Sequence, residues 1–176
     1  CLPKMSCKRK ICCAKCAPPV PRVTTESKDV DELAFHARRP QLNPVPCVFE
    51  KAILSHCAHC ELASRHALAE RELVACSIEV AQINCTMLAR LFRERATFAL
   101  RLPLLGLPVA HAKAMQLQCG GLHGLQAVLN EPTPDVHVMV RKALANDASL
   151  LDLPWGTIVS HVLAWKIRRR AAKPQS

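Results

Sequence analysis

The chain has 176 residues and 19.4 kDa, half of them hydrophobic and 22% charged, which is enough for the core of one domain and too apolar for disorder along its whole length. Its longest uncharged apolar stretch, Leu102 to Ala112, reaches about half a membrane span and is broken by Pro103 and Pro108, while six aromatic residues, no Tyr and five Gly favour helices over sheets. The formal charge of +10 sits at the ends: residues 1–22 and 166–176 carry eleven of the 24 Lys and Arg and no acid, so the body keeps 13 bases against 14 acids and is no built nucleic-acid surface.

The first 47 residues read as a Cys- and Pro-rich basic tail and linker. Cys7, Cys12, Cys13 and Cys16 lie in a stretch with little to bury, and Cys13-x2-Cys16 has the spacing of half a zinc knuckle. Pro18, Pro19 and Pro21 extend the chain after it, and Pro40, Pro44 and Pro46 interrupt it again between Arg39 and Cys47. The first residue is Cys1, with Met5-Ser6 as an alternative start and a lipidated Cys1 as a minor one. No secretion signal is read in the chain, and an odd count of eleven Cys predicts reduced thiols in the cytoplasm rather than a disulfide framework.

A compact helical metal-binding domain is expected over residues 48–165, followed by a basic tail at 166–176. Val48, Phe49, Ala52 and Ile53 predict a short entry helix. Glu61 to Val74 consists of good helix formers with Glu61 and Arg65 as an i,i+4 pair, and predicts a helix. Cys76 to Asn84 is expected as an irregular connector, with Asn84 capping a helix from Cys85 to Arg101 whose inner side carries Leu88, Leu91, Phe92, Phe98 and Ala99. Val109 to Gln118 gives one or two helical turns ended by Gly120 and Gly121, and Leu122 to Leu129 a further short helix. Thr133 with Pro134 and Asp135 opens a helix through Ala145, although Val136, Val138 and Val140 alternate as a strand would. A final helix from Thr157 to Arg170 turns Ile158, Val162 and Trp165 inward. The fold class is all-α, an irregular bundle of about six helices with basic tails.

Function is sought in the cysteines of that domain. Cys57, Cys60, Cys76 and Cys85 follow the spacing C-x2-C-x15-C-x8-C, in which the first pair is strongly specified and the second loosely. A [4Fe–4S] cube accepts wider and less regular ligand spacing than tetrahedral zinc, so the x8 gap points to an iron–sulfur centre, with Zn as the alternative. Cys119, His56 and His59 are the substitute ligands. Cys119 also stands in Gln118-Cys-Gly-Gly-Leu-His-Gly124, where His123 could meet it as a base, but no third orienting group follows and no catalytic residue is assigned. The expected protein is a small cytoplasmic iron–sulfur protein in electron transfer, or a cluster-bearing subunit or sensor, with a protein redox or assembly partner. A zinc-stapled or metal-free interaction module whose basic tails contact nucleic acid or an acidic partner is the alternative, and non-specific polyanion contact is expected through the tails.

Overall fold

The computed structural model describes residues 37, 39–41, 43–68, 71–146 and 149–166. The chain divides into two compact units, Cys1–Arg38 and Arg39–Ser176, and all described residues but Ala37 belong to the second. The expectations for Cys7, Cys12, Cys13 and Cys16, for the first proline-rich linker, and for the basic run Arg168 to Arg170 lie outside the described residues.

The second unit is mostly helical, but it is not all-α. After helix α1 (Glu50–Leu54) come strands β1 (Ala63–Leu68) and β2 (Arg71–Cys76), paired antiparallel with Ala63 opposite Cys76 and Leu68 opposite Arg71. Thus the helix expected over Glu61 to Val74 is a β-hairpin. Local propensity is overridden by pairing on both sides of β2. Its other edge takes residues 45–47, where the Cys47 N–H donates to Val74 O at 2.8 Å, the Cys76 N–H donates to Val45 O at 2.8 Å, and Pro46 bridges Ala75. Pro46 falls between those two bonds, at a position whose nitrogen is not needed by the ladder. With neighbours on both edges and the core beneath it, β2 buries three consecutive residues, Leu73, Val74 and Ala75, as a central strand does. Glu50 of α1 fastens the hairpin further, since its Oε1 accepts the Val74 N–H and its Oε2 accepts from Arg39 at 2.8 Å.

Helix α2 (Glu79–Leu100) is continuous through Asn84, so the break and cap expected there are absent. The irregular connector shrinks to Ser77 and Ile78 because β2 already carries the chain to the helix start. Its buried side is Leu88, Leu91, Phe92, Ala96 and Leu100, whereas Phe98, expected inward, is 95% exposed. Helix α2 ends at Arg101 in the left-handed conformation, ahead of Pro103. Arg93 then holds the following loop, donating to Leu104 O at 2.7 Å and Leu107 O at 2.8 Å.

Residues 111–129 form one helical run instead of two helices ended by glycines. It consists of α3 (His111–Met115), a π-helical turn at Gln116–Gly120 and α4 (Gly121–Leu129). Gly120 and Gly121 continue this run because neighbours press on both: a Cβ on Gly120 would lie 2.8 Å from Val162 Cα, and one on Gly121 would lie 2.7 Å from the Phe92 ring. Helix α5 (Val136–Asn146) is capped by Asp135 rather than Thr133, with Asp135 Oδ1 accepting the Val138 N–H at 3.0 Å. A 3-10 turn at Leu150–Asp152 leads to α6 (Trp155–Ala164), which stops before Trp165.

The main core gathers Leu88, Phe92, Leu122, Leu125, Met139 and Ile158 from four helices, α2, α4, α5 and α6, together with Phe49 just before α1. Phe92 stands edge-on to both Phe49 and Trp155, with ring centres 6.0 Å away in each case. No helix among the described residues is long and apolar enough to cross a membrane.

Candidate metal centre and an adjoining thiol pair

The backbone from Leu54 to Glu61 distributes the cysteines. Helix α1 ends with His56 in the left-handed conformation (φ 58°), and the Cys57 N–H donates to Ala52 O at 2.9 Å. From there the chain crosses to the start of α5. The His59 N–H donates to Pro134 O at 3.1 Å, His59 O accepts the Val136 N–H at 2.9 Å, and the Glu61 N–H donates to Asp135 Oδ2 at 2.8 Å. This pinning rotates Cys57 and Cys60 into different surroundings.

Cys60 lies with Cys47, Cys76 and Cys85. Each belongs to a separate piece of backbone: the strand-like segment beside β2, the turn before β1, the end of β2, and the second turn of α2. Burial pushes the Cys85 thiol up to about 12, and the neighbouring Cys60, Cys47 and Cys76 raise it further. Burial likewise pushes Cys47 up to about 11, with the Phe49 backbone N–H acting against it and Cys60 and Cys76 adding to it. At Cys60 burial again raises the thiol, the Leu62 N–H lowers it, the Asp135 carboxylate raises it, and the His137 N–H lowers it. Cys47 and Cys85 thus both feel Cys60 and Cys76, and Cys47 and Cys60 each receive a backbone N–H from the residue two places on. Cys76 donates its own thiol proton to Ile78 O at 3.2 Å. Among the described residues no three His, Cys, Asp or Glu side chains are gathered tightly enough to hold a metal ion.

Cys57 belongs to a different group. Ser55 Oγ donates to Cys57 Sγ at 3.3 Å and lies 3.6 Å from Cys119 Sγ, so one hydroxyl touches both sulfurs. Gln118 brings Cys119 there. Its amide donates to Val48 O at 2.9 Å and its carbonyl accepts the Ala52 N–H at 3.1 Å, so a side chain of the π-turn caps the first turn of α1. Burial pushes Cys119 up to about 12, Cys57 raises it further, and the Ser55 hydroxyl pulls it down.

No protein-family model, curated protein or solved structure matches this chain.

Of the four cysteines read as ligands from spacing, Cys60 and Cys76 lie within electrostatic reach of Cys85, whereas Cys57 shares Ser55 with Cys119; Cys47, not read as a ligand, also lies within reach of Cys85. Pro44 and Pro46 mark that stretch as linker in the sequence, and only the pairing of residues 45–47 with β2 makes it part of the unit. The signal that could have found it is Cys47 immediately preceding the apolar Val48-Phe49 that opens the core. Among the substitute ligands, Cys119 is committed to Cys57, His59 is exposed with its ring 3.6 Å from Asp135, and His56 faces a cleft beside Cys57. His123 does not serve Cys119; its Nδ1 lies 3.2 Å from that of His161.

Proposed function

We propose that this chain is a small iron–sulfur protein that carries one [4Fe–4S] cluster on Cys47, Cys60, Cys76 and Cys85 and exchanges electrons with a protein partner. What supports the reading is that Cys60 and Cys76 raise the Cys47 and Cys85 thiols, with the four sulfurs drawn from four backbone segments. A cube spreads its sulfur ligands more widely than zinc does, which suits thiols supplied by four separate backbone segments. Backbone N–H groups aimed at Cys47 and Cys60 would stabilise cluster-bound thiolates and tune the potential, as such bonds do at iron–sulfur sites. The four cysteines are half-buried, which suits a cluster near enough to the surface for a docked partner.

The test is protein purified without oxygen. Brown material with roughly four iron and four sulfide per chain is expected, since four thiolates serve one cube. Cys47→Ala should lose most of the iron and Cys57→Ala should keep it. Colourless protein with about one zinc per chain would replace the cluster by a zinc staple. Iron lost on changing Cys57 but kept on changing Cys47 would restore the ligand set read from spacing.

A further inference from the structure

The thiol pair outside the cluster group lies beside an open cleft of about 600 Å3. Cys57 lines this cleft, whereas Cys119 sits behind it and is 2% exposed. Among the described residues the cleft wall carries Lys166, the imidazoles of His56, His123 and His161, and no carboxylate, so the Lys166 ammonium and ring N–H groups can meet a small anion. The scaffold under the pair is stiff, because Gln118 ties the π-turn to α1 and Gly120 packs against the α6 backbone with no room for a Cβ. A single-turn π-helix of this kind is often found at functional positions, and here it carries the inner thiol.

From these features we propose that Cys57 and Cys119 form a redox-active dithiol that reduces small, carboxylate-bearing disulfides admitted through the basic cleft. The roles follow from access. Cys57 is the attacking sulfur and Cys119 the resolving one, and Ser55 is a positioning residue that donates to Cys57 and touches both. In the first step the Cys57 thiolate attacks one sulfur of the substrate disulfide, forming a mixed disulfide and releasing one substrate thiolate, which takes up a proton. In the second, the Cys119 sulfur attacks the Cys57 sulfur, the Cys57–Cys119 bond forms, and the other half of the substrate leaves as a thiol. Two protein thiols are oxidised by two electrons, one disulfide is reduced to two thiols, and both protons pass from protein to product. Cys119 stays protonated until that second step, consistent with its raised pKa. The pair requires no cluster, so its behaviour is read separately from iron content.

The experiment uses the full chain, reduced and kept anaerobic, with oxidised glutathione as an anionic disulfide and cystamine as a cationic one. Peptide mass spectrometry is expected to find a Cys57–Cys119 linkage, formed roughly tenfold faster with oxidised glutathione at low salt. Cys119→Ser should arrest the reaction as a glutathione adduct on Cys57, and Cys57→Ser should give neither adduct nor linkage at this site. If Cys119→Ser does not fold, the linkage in the unaltered chain remains the deciding readout. Oxidation of other cysteines with Cys57 and Cys119 still reduced would overturn the dithiol, and equal rates with the two disulfides would overturn the assignment of an anionic substrate.

Discussion

Asp135 carries more of the structure than its place beside a proline-containing turn suggests. Only 5% exposed, it accepts the Val138 N–H with one oxygen and the Glu61 N–H with the other, so one carboxylate starts α5 and fixes the turn leading from Cys60 to β1. Asp135→Ala removes a helix cap and strands a backbone donor, and a loss of about 2–4 kcal/mol is expected in denaturant unfolding. Iron uptake should fall with it, because the same turn aims the Leu62 N–H at Cys60. Gly120 offers a test of a different kind. A methyl there would meet Val162 Cα at 2.8 Å, Trp165 Cβ at 3.0 Å and His161 O at 3.2 Å. Two of these atoms are backbone and cannot swing aside, so Gly120→Ala should cost about 1–3 kcal/mol, with a lower unfolding midpoint as the readout.

Between elements, the contact that organises the site is the one made by Gln118 across 66 and 70 residues of sequence. Gln118→Leu keeps the volume but leaves the Ala52 N–H and the Val48 carbonyl without their partner. About 1–3 kcal/mol should be lost, and the Cys57–Cys119 linkage should form more slowly because α1 and the π-turn are no longer held together. Nothing in the sequence announces this bond, since a Gln within a helical run is an ordinary helix former. The helical elements from α2 onward were legible from apolar spacing, and the electrostatic neighbours Cys60, Cys76 and Cys85 were already singled out by cysteine spacing. The hairpin was not, because Glu61 to Val74 has the composition of a helix and becomes a strand pair only where residues 45–47 supply a second edge for β2. Cys47 was hidden by the same long-range pairing: Pro44 and Pro46 read as punctuation in one dimension, whereas in three the 45–47 segment bonds to β2 on either side of Pro46.

For the whole molecule, the buried thiol of Cys119 makes stability depend on alkaline pH. Its pKa is raised from 9.0 to about 12, so the native state keeps a proton that the unfolded chain gives up. Its contribution is complete below about pH 9 and is lost as pH rises towards the folded value, with a slope of at most about 1.4 kcal/mol per pH unit. Reduced, metal-free protein should therefore unfold at lower denaturant between pH 9 and pH 11, and Cys119→Ala should flatten part of that slope. The charge distribution gives a further expectation. Retention on a polyanion column should fall steeply with salt and should drop when Arg168, Arg169 and Arg170 are replaced by Ser, since the body carries almost no net charge. Finally, Ala58 and His59 alone separate Cys57 of the proposed dithiol from Cys60 of the proposed cluster site, and His59 is clamped to the start of α5 by backbone bonds on both sides. That clamp is an anchor. A pull on Cys57 as it closed onto Cys119 would be borne by that clamp before it reached Cys60, so iron content is expected to be the same with the pair reduced or linked.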